Sequence, residues 1–244
     1  MKMKLIDDIL NDLKENYKDE RVRDVRVGIT WTAVLSRNLG LGYTFTGQRE
    51  NGVHDVGKLT ERTVFELADY LKSWNLTEAS IGAAAINSIL EPEGKLCENF
   101  DALRNLTEIG KGKNIAMVGH FPHTEEIRSA AKNLWIIEKT PRQGDFPAEA
   151  ADYLIPKADV AVITGTTLIN KSMERLLDLC KENDVYTIIL GPSTVMSPVF
   201  FDRGADMLAG CRVINALAVL KKVSEGVGLV KEFKCDLEFV AMEK

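Results

Sequence analysis

The sequence predicts an α/β protein in which a small α+β unit precedes a larger domain built on a parallel sheet. In the second part of the chain, short apolar strands alternate with amphipathic helices, which is the pattern of a Rossmann-like parallel sheet covered by helices. The first third runs instead from a helix through a β-meander to two helices. The composition, with 45% hydrophobic and 27% charged residues over 244 positions, is typical of a globular chain.

The first third contains both periodicities that distinguish helices from strands. Leu5, Ile9 and Leu13 recur at helical spacing, whereas Val25 and Val27 alternate with polar or small residues. We therefore expect helices at Lys4–Tyr17, Glu61–Trp74 and Glu78–Leu90, and strands at Val25–Ile29, Trp31–Leu35 and Leu39–Phe45.

The second part contains runs that are apolar on both faces, as parallel strands between two layers of helices should be. We expect strands at Ile115–Val118, Leu134–Ile137, Asp159–Thr164, Val185–Leu190 and Asp206–Ala209. We expect the helices between them at Thr124–Asn133, Pro147–Leu154, Thr167–Glu182 and Ile214–Val223. The alternation from Phe233 to Phe239 predicts an amphipathic edge strand.

A charged, turn-rich segment at residues 91–95 separates these two patterns of predicted helices and strands. It predicts a small α+β domain over residues 1–93 and a Rossmann-like domain over residues 94–244.

Composition excludes several classes of function. Thirty-one basic and 36 acidic residues give a net charge of −5, which argues against a nucleic-acid partner. The cysteines form no CxxC pair, and four thiols in a chain of this length fit a reducing compartment; they are Cys97, Cys180, Cys211 and Cys235. Asp7 and Asp8 interrupt the beginning of the chain where a signal peptide needs an apolar run, and no stretch is long and apolar enough for a membrane helix. We expect a cytoplasmic protein with no membrane partner, and a homodimer because that is the commonest assembly.

Polar residues and glycines follow the predicted parallel strands, and open parallel sheets bind ligands at the carboxyl ends of their strands. A binding site at that edge would draw on residues from all these junctions. The predicted ligand-binding residues are Gly119, His120, Glu138, Gly144, Asp145, Thr164, Gly165, Thr166, Thr167, Asn170, Gly191 and Ser193.

Two of these junctions suggest a nucleotide-like ligand without matching a known nucleotide motif. The loop after the first strand lacks GxGxxG, and the chain has no GK[ST] phosphate loop. Glu138 nevertheless follows Gly119 at a spacing close to that of the ribose-binding acid in nucleotide-binding βαβ units. The alternative interpretation is that Glu138 only caps the end of its strand.

The threonines and the serine at this edge also have two interpretations. Thr166 or Thr167 is expected to be an N-cap, and the free N–H groups of that helix start would favour an anion. Ser193 and Thr194 follow Gly-Pro and are typical turn formers, with ligand contact as the alternative.

His120 and His123 form an HxxH pair, and imidazole is a ligand of Zn, Ni, Fe and Cu. Cys211 or Asp145 would add a ligand from the same edge, so the predicted metal ligands are His120, His123 and Cys211. Solvated loop histidines are the alternative. His54, the third histidine, lies in the small unit, which would face the same cleft.

Several segments together resemble an uncharacterised prokaryotic family labelled "putative heavy-metal chelation". They are Asp24–Val34, Ile81–Asn87, Val118–Pro122, Gly144–Pro147, Ile163–Asn170 and Leu190–Thr194. The resemblance implies an enolase-N-terminal-like domain joined to a Rossmann-like domain, with a ligand pocket in the cleft between them. It does not imply enolase chemistry, because the barrel that carries that chemistry is missing. On the small domain, Arg26, Thr30 and Trp31 are expected to face the cleft.

Two hypotheses follow for the function. The first is a binding protein for a heavy metal or a small metal chelate, with a transition metal as the bound species. The second is an enzyme or binding protein for a nucleotide-like or S-adenosylmethionine-like small molecule. A purely structural role would leave the clustered polar junctions unexplained.

Overall fold

The computed structural model describes residues 3–45, 52–91, 102–122 and 124–244. The α/β class is confirmed, because within these residues a three-stranded antiparallel sheet is followed by a seven-stranded, mostly parallel one. The predicted boundary at residue 93 and Cys97 lie outside the described residues. No helix in the described segments is long and apolar enough to span a bilayer.

The small unit packs its sheet against one buried helix. Its elements are α1 (Lys4–Asn16), β1 (Asp24–Val27), β2 (Trp31–Leu35), β3 (Leu39–Tyr43), α2 (Val64–Ala68) and α3 (Leu76–Asn87). Gly40 on β3 is required by this packing, because a Cβ there would lie 2.1 Å from the carbonyl oxygen of Ala84 on α3. A glycine-bearing strand thus allows the sheet and α3 to approach backbone to backbone.

The continuous helix predicted at Glu61–Trp74 is wrong. A capping box between Thr63 and Glu66 starts α2 at Val64, so the preceding residues form a separate 3₁₀ turn at Leu59–Glu61. After Ala68 the chain tightens into another 3₁₀ turn at Asp69–Lys72. The apolar periodicity continues through these breaks, which is why it predicts one helix.

The larger sheet has the order β10-β9-β8-β7-β4-β5-β6. Its elements are α4 (Ala102–Ile109), β4 (Asn114–Val118), α5 (Thr124–Ala130), β5 (Asn133–Glu138), β6 (Phe146–Pro147), α6 (Ala151–Leu154), β7 (Val160–Thr164), α7 (Thr166–Ile169), α8 (Met173–Glu182), β8 (Tyr186–Leu190), α9 (Val199–Asp202), β9 (Met207–Val213), α10 (Ala216–Ser224) and β10 (Leu237–Glu243). All neighbours pair in parallel except β9 and β10. From β4 the chain builds outward through β5 and β6, then returns to β7 on the other side, so the direction of winding reverses between β4 and β7.

The helix predicted at Thr167–Glu182 is two helices. Lys171 adopts a left-handed backbone conformation with φ of 69°, which interrupts the helical path between α7 and α8. The interruption brings Asn170 and Ser172 to the carboxyl edge of the sheet. The helix predicted at Pro147–Leu154 is also broken, since Phe146 and Pro147 form the short edge strand β6.

The end of the chain differs most from the prediction. Strand β9 continues through Gly210 and Cys211 to Val213, because β10 pairs with it along its whole length. The predicted edge strand at Phe233–Phe239 is instead a 3₁₀ segment at Val230–Asp236 followed by β10. The predicted strand end at Gly210 and Cys211 is therefore wrong.

The C-terminal helix α10 covers the second face of the small sheet. Trp31, Ala33 and Leu41 of that sheet share one hydrophobic cluster with Val219 of α10 and Phe233 of the following 3₁₀ segment. Arg26 on β1 donates to the carbonyl oxygen of Leu220 at 3.2 Å. The small unit thus completes its core with residues from the other end of the chain.

Candidate functional site

A cleft of about 820 Å³ lies between the carboxyl ends of the parallel strands and the small sheet. It includes the ends of β4 and β7, between which the winding of the sheet reverses, and that reversal is where open α/β sheets bind ligands. The volume lies in the range of pockets that hold small organic ligands.

Most of the predicted binding residues line this cleft. They are Gly119, His120, Glu138, Thr164, Thr166, Thr167, Asn170, Gly191 and Ser193. Gly144, Asp145 and Gly165 are not among the lining residues. Asp145 and Gly165 instead contact residues of the site, since Asp145 pairs with His120 and Gly165 packs against Thr194.

The loop after β4 turns sharply at Gly119. Its φ of 104° is a left-handed conformation, and a Cβ would lie 2.9 Å from the Cγ2 atom of Thr164 on the neighbouring strand. Glycine therefore lets the backbone pass close to β7 and brings the next residue, His120, into the cleft.

His120 is paired with a carboxylate. Its Nε2 atom lies 2.7 Å from Oδ2 of Asp145, whose side chain is only 5% exposed. Burial alone would raise the pKa of the Asp145 carboxyl, but hydrogen bonds from His120 and from the backbone N–H of Arg142 outweigh it and hold that pKa below its ordinary value. Because an ionised carboxylate only accepts, the imidazole proton is on Nε2, and in the neutral ring Nδ1 carries the lone pair.

Glu138, at the end of β5, holds the same loop. Its Oε1 atom accepts a hydrogen bond from the backbone N–H of His120 at 2.9 Å. Its Oε2 atom accepts one from the backbone N–H of Lys139 at 3.1 Å. Glu138 therefore positions His120 and also presents a carboxylate to the cleft.

The expectation that Thr166 or Thr167 caps a helix is wrong. Gly165 occupies the N-cap position of α7, and no side chain makes a capping hydrogen bond there. The Thr167 hydroxyl instead donates to the carbonyl oxygen of Thr164 at 2.7 Å, and the hydroxyls of Thr164 and Thr166 lie 3.1 Å apart. All three threonines of this junction line the cleft.

Gly165 allows the loop after β7 to touch the loop after β8. A Cβ at this position would lie 2.6 Å from the backbone nitrogen of Thr194. The loop after β7 and the loop after β8 are therefore packed backbone to backbone, which places Ser193 beside the threonines.

Ser193 is buried in the wall of the cleft, and no described residue hydrogen-bonds to its hydroxyl. The residue is 2% exposed, and its Oγ atom has no partner among the described residues; Thr194 Oγ1 is in the same situation. A buried hydroxyl without a partner costs about 1–3 kcal/mol, so this position suggests that something else satisfies it.

The small unit contributes an aromatic wall, formed by Trp31, Tyr43 and Phe45. The ring centroids of Trp31 and Tyr43 are 6.1 Å apart, and those of Tyr43 and Phe45 are 5.1 Å apart, both in edge-to-face geometry. The Trp31 Nε1 atom donates to the carbonyl oxygen of Gly228 at 3.3 Å, which fixes the indole. Thr30 and Trp31 were predicted to lie here. Tyr43 and Phe45 were not, although they stand two residues apart in a predicted strand and so share one of its faces.

Arg26 does not line the cleft, contrary to the prediction. It pairs with Asp24 at 2.8 Å and donates to the Ser224 hydroxyl at 2.9 Å, so it joins β1 to α10. His54 is also elsewhere, on the surface of the small unit beside Asp55 and Tyr70.

The predicted metal ligands are not brought together. Cys211 lines a second cavity of about 380 Å³, its thiol lies 3.6 Å from the carbonyl oxygen of Pro192, and burial raises its pKa to about 12. Its strand, β9, is three strand spacings from β4, or about 14 Å, so Cys211 and His120 do not share a coordination sphere. His123 lies outside the described residues. Among the residues that the structure describes, no three His, Cys, Asp or Glu side chains cluster as a metal site.

Comparison with known proteins gives consistent matches along the chain. The DUF4213 family model matches residues 10–90 and the DUF364 model matches residues 101–242, and both are described as "Putative heavy-metal chelation". An uncharacterised protein of Methanocaldococcus jannaschii is 27% identical over 94% of this chain and 95% of its own length.

Two crystal structures share the fold. A DUF364 family protein of unknown function from Desulfitobacterium hafniense has a TM-score of 0.81 and 26% identity, covering 97% of this chain and 98% of its own. A second, from Pyrococcus horikoshii, also has a TM-score of 0.81, with 19% identity and 98% of both chains covered.

Proposed function

The chain belongs to the DUF364 family, described as "Putative heavy-metal chelation", and we propose that it binds a small organic metal chelate in the cleft between its two sheets. The organic part of the ligand occupies the cleft, and the metal that it carries is bound by His120.

The observation that carries this proposal is the hydrogen bond between His120 Nε2 and Asp145 Oδ2. Histidines that ligate metals usually donate their other ring N–H to a carboxylate or carbonyl, which orients the ring and increases the basicity of the ligating nitrogen. The Asp145 side chain is only 5% exposed and its pKa lies below the ordinary value, so it is an ionised carboxylate at neutral pH, as that role requires. In this arrangement Nδ1 of His120 is the ligating atom.

The donor set argues for a chelate rather than a bare ion. Transition metals take four or more ligands, commonly from imidazole, thiolate and carboxylate groups. The described part of the chain offers no cluster of three such side chains. A ligand that arrives with most of its metal's coordination already filled needs only one imidazole from the protein.

The cleft suits an organic ligand of this kind. The aromatic wall of Trp31, Tyr43 and Phe45 supplies apolar contact area, and the junctions after β7 and β8 supply hydroxyl groups opposite. A largely apolar pocket with a few placed polar groups is the usual composition of a small-molecule site.

Calorimetric titration of protein without a polyhistidine tag tests the proposal. The probes are Zn²⁺, Ni²⁺ and Co²⁺, each as the bare ion and as its citrate and histidine complexes. We expect at least one complex to bind more tightly than its bare ion, and His120→Ala to weaken that binding by more than about tenfold.

His54→Ala is the matched control, because His54 is exposed and does not line the cleft, and we expect it to bind like the wild type. If the wild type binds no complex more tightly than its ion, or if His120→Ala binds equally well, the proposal is wrong.

A nucleotide-like or S-adenosylmethionine-like ligand is the second candidate function. Glu138 ends β5 and lines the cleft, at the place where ribose-binding acids lie in nucleotide-binding folds. The aromatic wall would suit an adenine ring.

Thermal-shift measurements with adenosine, ATP and S-adenosylmethionine test this second candidate. A ligand at 100 times its Kd should add about 2.7 kcal/mol of stability. We expect Glu138→Gln to lose most of that shift. The absence of a shift with all three ligands, or an unchanged shift in Glu138→Gln, would exclude this candidate.

A further inference from the structure

The unpartnered hydroxyl of Ser193 marks a polar subsite within the cleft. Ser193 lines the cleft while being 2% exposed, and its Oγ atom has no hydrogen-bond partner among the described residues. The buried hydroxyl of Ser88 differs: Ser88 Oγ lies 2.6 Å from Ser36 Oγ and donates to the carbonyl oxygen of Ala85 at 2.7 Å. Of the two buried hydroxyls that no described residue satisfies beside this junction, those of Ser193 and Thr194, the Ser193 hydroxyl belongs to a residue that lines the cleft.

The neighbouring groups extend the subsite. Thr164 and Thr166, whose hydroxyls are 3.1 Å apart, line the cleft on the adjacent junction. Gly191 precedes Ser193 with φ of 124°, and a Cβ built on it would meet nothing within 4 Å. Gly191 and these hydroxyl-bearing residues thus line the same cleft, at the neighbouring junctions after β7 and β8.

From this geometry we infer that the ligand carries a carboxylate that accepts hydrogen bonds from Ser193 and the neighbouring threonine hydroxyls. This inference rests on the proposed function, and it specifies the chemical class of the chelator as a metal-binding carboxylic acid.

The charge at this end of the cleft favours a carboxylate over a phosphate. A phosphate dianion needs cationic partners for strong binding, whereas the described lining on β7, β8 and their following loops offers hydroxyl and amide groups; its lysine, Lys139, follows β5 instead. A carboxylate that belongs to a metal chelate has its charge balanced by the metal. Hydroxyl donors are then sufficient to fix it.

The separation of the two anchors sets the span of the ligand. His120 follows β4 and Ser193 follows β8, with β7 between them, so the two strands that carry these junctions are about 10 Å apart. This distance leaves room for a metal beside the imidazole and an organic arm of several atoms that ends at Ser193.

The first arm of the test separates a ligand-binding role of Ser193 from a structural one. We expect Ser193→Ala to leave the melting temperature of the free protein unchanged or to raise it, because it removes a buried hydroxyl without a partner. The matched control Ser88→Ala removes a satisfied hydroxyl and should lower the melting temperature by about 2–4 °C. A similar decrease in Ser193→Ala would show a structural hydroxyl and overturn the inference.

The second arm compares two complexes of one metal, Zn²⁺–citrate with carboxylates and Zn²⁺–ethylenediamine without them. We expect Ser193→Ala to bind the citrate complex about tenfold more weakly, and the ethylenediamine complex as the wild type does. If the wild type binds both complexes and the variant weakens neither, or both equally, the inference alone fails. If the wild type binds neither, the proposed function fails and the inference falls with it.

Discussion

His120 is the residue around which the site is organised. Its backbone N–H is held by Glu138 and its ring by Asp145, so both its position and its rotation are determined by carboxylates on other segments. The rule that parallel strands end at one edge placed all three residues at the same edge from the sequence. The pairing of His120 with Asp145 was not predictable, because Asp145 lies in a loop whose path depends on the two-residue strand β6.

Replacing Asp145 by Asn tests this arrangement at the scale of one residue. The amide keeps the shape of the carboxylate but carries no charge, so it stabilises the ligating tautomer of His120 less. We expect metal-chelate affinity to fall by about 10–100-fold, measured by calorimetry.

Asp152→Asn is the control, since Asp152 forms an exposed pair with Arg175 at 3.0 Å. An Asp145→Asn variant that binds the chelate as tightly as this control would contradict the role assigned to Asp145.

Elements differ from the prediction where non-local contacts decide their ends. Strand β9 passes through Gly210 and Cys211 because β10 pairs with it, and this removes Cys211 from the site that its position in the sequence suggests. Helices α7 and α8 separate at Lys171, although the apolar stripe runs through both. Periodicity predicted that these elements exist, but their ends depend on partners far away in the chain.

Gly165→Ala tests the packing of two junctions against each other. Its φ of −55° is ordinary for alanine, so the cost comes only from the clash of the new Cβ with the backbone of Thr194 at 2.6 Å. We expect the free energy of unfolding to fall by about 1–3 kcal/mol in chemical denaturation.

Gly52→Ala is the matched control, because no atom of the described residues lies within 4 Å of a Cβ at that exposed position. Its stability should change by less than about 0.5 kcal/mol. Equal stability of the two variants would show that the junctions are not packed as described.

In the whole molecule, contacts outside the cleft also hold the two sheets together. The C-terminal helix α10 covers the small sheet, and the Lys171 ammonium donates to the carbonyl oxygen of Leu71 in the small unit at 2.5 Å and of Ile169 at 3.0 Å. The sequence predicted two units and their order. The rule that open parallel sheets bind ligands at the carboxyl ends of their strands indicated the cleft. The sequence did not predict that the end of the chain packs against the small unit, because these contacts join segments about 200 residues apart, such as Arg26 and Leu220.

Lys171 should make the stability of the molecule depend on alkaline pH. Burial lowers its pKa from 10.5 to about 8, so the folded state loses the proton at lower pH than the unfolded state does. Between about pH 8 and pH 10.5 the unfolded state binds more protons, and stability therefore rises with pH over this window as far as Lys171 is concerned.

The comparison with Lys171→Met isolates this contribution in denaturant unfolding at pH 7, 8, 9 and 10. We expect the wild type to gain stability relative to the variant as the pH increases. Parallel pH profiles of the two proteins would contradict the partly buried position of this lysine against Leu71.

The proposed function depends on His120 binding a metal that is presented by a ligand in the cleft. The most direct measurement is an anomalous difference map at the zinc edge, from crystals of tag-free protein grown with Zn²⁺–citrate. We expect a peak about 2.0–2.1 Å from Nδ1 of His120, with the citrate extending towards Ser193. A map without a peak at His120, or with zinc bound only at other residues, would contradict it.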